Sequence, residues 1–123
     1  MPVLVDTCGW IEYFTSGKRL DKYKAVLERD PALVVPTVCL YEAYKRLAPF
    51  VPGSHALDYA GVMMKRTVVN LDAKIALAAA EHSLAHHIPM ADAMILATAT
   101  AAHAELWTHD EHFRGLPGVR FIE

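Results

Sequence analysis

Val3-Leu4-Val5-Asp6-Thr7 is the stretch on which the fold turns. Three consecutive apolar residues form the pattern of a short strand buried on both faces, as in a parallel sheet. Asp6 stops the run, and Asp6-Thr7 offers capping side chains to a short helix carrying Trp10, Ile11, Tyr13 and Phe14, with Gly17 expected to end it. A buried strand feeding straight into a helix is the opening of an alternating strand–helix chain.

The alternation continues outward from there. Leu20, Tyr23, Val26 and Leu27 recur at helical spacing up to Arg29, and Asp30-Pro31 breaks the helix. Leu33-Val34-Val35, closed by Pro36, is a second buried strand, and Thr37 can cap a helix through Val38, Leu40, Tyr41, Tyr44 and Leu47. Pro52-Gly53-Ser54 opens a helix over roughly His55 to Lys65, and Thr67 to Leu71 is a β-branched strand suited to a sheet edge. Asp72 caps a helix ending near His87, and after Pro89 a long Ala-rich helix runs from about Ala91 to Ala104. Leu106-Trp107-Thr108 is a strand, His109 to Arg114 a single helical turn, and Val119 to Ile122 the last strand after a Leu116-Pro117-Gly118 turn. Five strands alternating with about six helices predict a three-layer α/β/α sandwich around a short, mainly parallel sheet, as one domain over residues 1–123.

Composition narrows the function classes. Hydrophobic residues make up 54% of the 123 and charged ones 21%, which builds a core and excludes a disordered tail. Cys8 and Cys39 lack disulfide-scaffold or metal-pair spacing, so reduced thiols are expected. Asp6 cuts the first apolar run too short for a signal peptide, and Ala93 to Ala102 is too short to span a bilayer, so a cytoplasmic protein without membrane contact is expected. A net charge of −2 argues against gripping nucleic acid by a broad basic surface.

Asp6, Glu42, Asp92 and Asp110 each have an ordinary explanation as a capping acid, a dipole partner or half of a helical ion pair. Topology gathers them. Helices that cross over a parallel sheet run antiparallel to its strands, so their N-termini collect at the strands' carboxyl edge. Asp6 follows the first strand, Asp110 follows Leu106 to Thr108, and Asp92 begins the helix feeding that strand. Glu42 lies five residues into its helix, roughly 7.5 Å at 1.5 Å per residue, and its longer side chain reaches back. Open α/β sheets bind ligands at this edge, where strand order reverses. Four carboxylates in one crevice repel unless a cation joins them, and oxygen ligands favour Mg²⁺ or Mn²⁺ over zinc. Such crowding would also raise at least one carboxyl pKa in the metal-free protein.

Leu4-Val5-Asp6-Thr7, Leu40-Tyr41-Glu42, Ala91-Asp92-Ala93-Met94-Ile95-Leu96-Ala97-Thr98-Ala99 and Trp107-Thr108-His109-Asp110-Glu111-His112-Phe113, in that order, resemble the PIN-domain family, and within it the compact VapC-type toxins. The resemblance covers nearly the whole chain. It implies that the four acids are a metal-binding catalytic quartet, with Thr7 and Thr108 as hydroxyl neighbours that orient carboxylates or water. It implies a Mg²⁺- or Mn²⁺-dependent endoribonuclease, often dimeric, held inactive by a small antitoxin of a type II toxin–antitoxin pair. An antitoxin-independent PIN nuclease in RNA processing and an inactive PIN-fold binding module are the alternatives. Cys8 stands where relatives often carry Ser or Asn, and His109 and His112 stand where basic residues are frequent.

Other residues have plainer readings. His82 and His86 lie four apart and His109 and His112 three apart, without the Glu of a metalloprotease motif, and are read as surface or half-buried side chains. Cys8 lacks the flanking cation of an activated thiol. Lys18, Arg19, Lys22, Lys24, Lys45 and Arg46 either line an RNA path or form solvated helix faces. Trp10, Tyr13 and Phe14 could stack bases, but their spacing fits core or groove packing better. Some of these three, with Tyr41 and Tyr44, are expected to form an exposed aromatic groove for an antitoxin helix.

Overall fold

The computed structural model describes all 123 residues. Its strands are β1 (Val3–Val5), β2 (Val34–Pro36), β3 (Thr67–Val69), β4 (Glu105–Thr108) and β5 (Val119–Phe121). Its helices are α1 (Thr7–Thr15), α2 (Leu20–Arg29), α3 (Thr37–Leu47), α4 (His55–Met64), α5 (Ala73–His86) and α6 (Met90–Ala101), with a 3₁₀ turn at Glu111–Phe113. The strands form one sheet in the order β3-β2-β1-β4-β5. Every pairing is parallel, where the sequence predicted a mainly parallel sheet.

Val3, Leu4 and Val5 point alternately to the two faces and all are buried, so both faces of the sheet are covered. The flanking strands β3 and β5 are only partly buried, as their edge positions require. The chain steps from β1 outward to β2 and β3, then crosses to β4 and β5 on the other side of β1. Strand order therefore reverses between β1 and β4, which opens a crevice at their carboxyl ends.

Several boundaries differ from the sequence reading. α1 ends at Ser16, which takes a left-handed φ of 53°, rather than at Gly17. A Cβ at Gly17 would first meet the Glu12 carboxylate, the movable end of a flexible side chain. Thr37 does not cap α3; it is the first helical residue, and its Oγ1 accepts from the Leu71 N–H at 3.3 Å. α6 stops at Ala101, because His103 adopts a left-handed φ of 53° before β4.

Trp10 takes no part in the expected aromatic groove. Trp10 is only 1% exposed and belongs to the core, stacked on Phe14 at 5.6 Å. Tyr41 and Tyr44 of α3 do stay exposed, at 61% and 46%. No helix is long and apolar enough to cross a membrane.

Candidate metal centre at the sheet edge

Asp6 caps α1 at the end of β1, where its backbone N–H donates to the Trp107 carbonyl at 2.9 Å. Its carboxylate is buried and accepts from the Thr7 N–H at 2.8 Å and from the Thr108 hydroxyl at 2.8 Å. Thr108 Oγ1 in turn accepts from the Asp110 N–H at 2.9 Å. One hydroxyl at the end of β4 thus fixes both the first acid and the loop that carries the last.

Asp92 lies in the first turn of α6 and is buried. Its Oδ2 stands 2.8 Å from His112 Nδ1. Asp110 caps the 3₁₀ turn by accepting from the His112 N–H at 2.9 Å, and its Oδ1 also lies 3.1 Å from His112 Nδ1. Glu42 reaches back along α3 to accept from the Thr7 hydroxyl at 2.8 Å, with Arg46 one turn on at 3.3 Å.

Ligand atoms of Asp92, Asp110 and His112 lie within 4.8 Å of one another. Asp6 and Glu42 stand outside this trio, and hydroxyls tie each of them to the same edge. Sequence reasoning passed over His112 as a surface histidine. A local signal was there: an Asp that caps a turn brings the residue two positions on back to its carboxylate. Pairing His112 with His109 obscured that spacing.

Burial lifts the Asp6 carboxyl to about 6, opposed by the hydrogen bonds from Thr108 and Thr7 and reinforced by the charge of Asp92. Burial also raises Asp92, with Asp110 adding to it and His112 opposing it. Carboxylate crowding, named from the sequence as the cause, is therefore second to desolvation. The Asp110 charge raises His112, which suits an imidazolium donating between two carboxylates. Cys8 Sγ lies 3.4 Å from Asp6 Oδ2, and burial followed by that charge pushes its thiol up to about 12, far from a nucleophile.

The donor set suits a hard or borderline divalent cation. Carboxylate oxygens match Mg²⁺ and Mn²⁺, and one imidazole nitrogen leans toward Mn²⁺.

The PIN domain family model matches residues 3–119. A toxin–antitoxin complex from Klebsiella pneumoniae contains a chain similar to this one, with a TM-score of 0.81 and 25% identity over 96% of this chain and 95% of that one. VapC20 of Mycobacterium tuberculosis, a toxin that cleaves the sarcin–ricin loop, gives 0.80 at 19% identity over 98% and 97%. VapBC2 of Rickettsia felis, bound to a fragment of promoter DNA, gives 0.75 at 14% identity over 99% and 98%. The last two likenesses are of fold alone. No curated protein sequence matches the chain.

Proposed function

We propose that this chain, which belongs to the PIN-domain family, is a divalent-metal-dependent endoribonuclease and the toxin of a type II toxin–antitoxin pair. What supports the reading is that Asp6, Glu42, Asp92 and Asp110 are linked through Thr7, Thr108 and His112 at the sheet edge where strand order reverses between β1 and β4. Two buried acids, Asp6 and Asp92, beside the partly exposed Glu42 and Asp110 cost stability unless they serve a cation.

Asp92 and Asp110 would hold Mg²⁺ or Mn²⁺, with His112 joining them once Nδ1 gives up its proton, and Asp6 and Glu42 would complete the acidic edge. Such an ion, when bound, supplies a Lewis acid for a phosphodiester oxygen and a more acidic water. The chain's own contribution is orientation. Thr108 holds Asp6 Oδ2 in place, and Thr7 does the same for Glu42 Oε1. Arg46 neutralises part of the Glu42 charge beside the entrance. Fixing these groups before substrate arrives removes reorganisation from the reacting step.

An antitoxin partner is supported by the Klebsiella pneumoniae complex and by the exposed Tyr41 and Tyr44 of α3. A homodimer is supported by Leu77 and Leu84, seven residues apart on α5 and both exposed.

The test is cleavage of a total RNA pool with Mg²⁺ or Mn²⁺, using circular dichroism as the control for folding. Asp6→Asn, Glu42→Gln, Asp92→Asn and Asp110→Asn should each fall by about 100-fold or more, and chelator should abolish cleavage by the unsubstituted protein. Undiminished rates in the Asp6 or Asp92 variant would end this reading.

A further inference from the structure

Beside the acids lies an open cavity of about 540 Å³, within the range of small-ligand pockets. One stripe of α1 forms its floor: Cys8, Ile11, Glu12 and Thr15 lie on one helix face and span about 10 Å at 1.5 Å per residue. The inner end opens on the acids, because Cys8 Sγ is 3.4 Å from Asp6 Oδ2. Gly17, Lys18, Arg46 and His109 complete the lining.

The charges of this cavity are sorted. Glu12 faces Arg19 at 3.5 Å, which answers its negative charge, and the His109 ring, whose pKa burial lowers, lies 3.8 Å away. Tyr23 Oη lies 2.8 Å from His109 Nδ1 and fixes that ring against the wall. Arg46 bridges to Glu42 of the acidic edge. Lys18 has no carboxylate within 4.0 Å and is the one wall cation left without a partner.

We propose that this cavity is a strand subsite for single-stranded RNA: it takes the nucleotide next to the scissile phosphate, and Lys18 meets that nucleotide's own phosphate. The inference rests on the ribonuclease reading above. It also explains how a chain of net charge −2 holds a polyanion, with local cations beside the acids in place of a basic face. A concave trough admits one splayed strand, whereas a duplex would need a broad surface.

The experiment uses the Asp92→Asn protein with Mg²⁺ and a fluorescent pool of random-sequence single-stranded RNA decamers, followed by anisotropy. Adding Lys18→Ala should weaken binding about fivefold at about 0.1 M salt and flatten the salt slope by about 0.7, the loss of one single-strand phosphate contact. Lys18→Arg should retain both. Lys74→Ala is the control, since Lys74 lies beside Thr100 and Ala101, at the opposite end of α6 from Asp92. Duplex decamers should bind more weakly than single strands. Unchanged affinity and slope in Lys18→Ala, an equal loss in Lys74→Ala, or equal binding of duplex would each overturn the subsite and leave the ribonuclease reading standing. If the Asp92→Asn protein binds no RNA and the unsubstituted protein cuts none, both fall together.

Discussion

Thr108 shows how much one hydroxyl carries at this site, since it donates to Asp6 and accepts from the Asp110 N–H. Thr108→Val keeps the shape and removes both bonds, leaving a buried carboxylate oxygen and a backbone donor short of a partner. Stability should fall by about 1–3 kcal/mol in urea unfolding, and RNA cleavage by about 10–100-fold. A variant as stable and active as the parent would contradict the orienting role. Asp6 gives a second prediction at this scale. Its folded pKa is raised to about 6 from 3.8, so the folded site keeps a proton that the unfolded chain has lost. The stabilisation is complete below pH 3.8 and disappears as pH climbs through about 6. His112, also raised, acts in the same direction. With chelator present, urea unfolding should show a loss on the order of 3 kcal/mol between pH 4 and 7, and Asp6→Asn should remove most of it. A flat profile in the parent would refute the assignment. The place of the acids at the sheet edge was legible in the sequence because position along alternating elements sets it. His112 was not, because its role arises from the turn that Asp110 caps, and pairwise histidine spacing does not encode that turn.

At the scale of elements, α1 is pressed closely onto its neighbours. A Cβ at Gly9 would lie 2.5 Å from Val5 Cγ1 and 2.7 Å from Tyr23 Cε1, both buried in the core. Gly9→Ala should therefore destabilise by about 1–3 kcal/mol through overpacking. Gly61 sits within α4 with nothing within 4 Å of its would-be Cβ, so Gly61→Ala should stabilise by about 0.5–1 kcal/mol. Opposite shifts in urea midpoint are expected, and shifts of the same sign would show that the packing of α1 is misread. The exposed tyrosines of α3 supply a prediction about partners. Tyr44→Glu should weaken a complex with a co-expressed antitoxin by about tenfold or more, as loss of an interface aromatic does, in a pull-down or titration. Unchanged affinity in both Tyr44→Glu and Tyr41→Glu would exclude α3 as that surface. The sequence placed the helices within a few residues because apolar spacing and caps encode them. It misplaced the ends at Ser16 and Ala101, where non-glycine residues take left-handed backbone and composition gives no warning. It left Trp10 between core and groove, because spacing tells which residues share a face and not which face is buried.

For the whole molecule, the alternation of strands and helices was enough to predict a parallel sheet, but not the order β3-β2-β1-β4-β5. That order depends on which crossovers turn left or right of β1, a choice made by packing among buried strands of similar composition. It matters because it puts Asp6 and the Thr108–Asp110 loop side by side at the reversal point. Asp92 and Glu42 then arrive from α6 and α3. On the proposed function, the fold holds this acidic edge together at a cost in stability, which a bound cation would offset. Isothermal titration of Mn²⁺ into the unsubstituted protein and into Asp92→Asn at neutral pH tests that claim most directly. The account predicts saturable binding to the unsubstituted protein with release of protons from the raised carboxyls. It predicts that Asp92→Asn loses about 10-fold or more in affinity while remaining folded. Equal Mn²⁺ affinity in the two proteins, or no saturable binding to either, would contradict it.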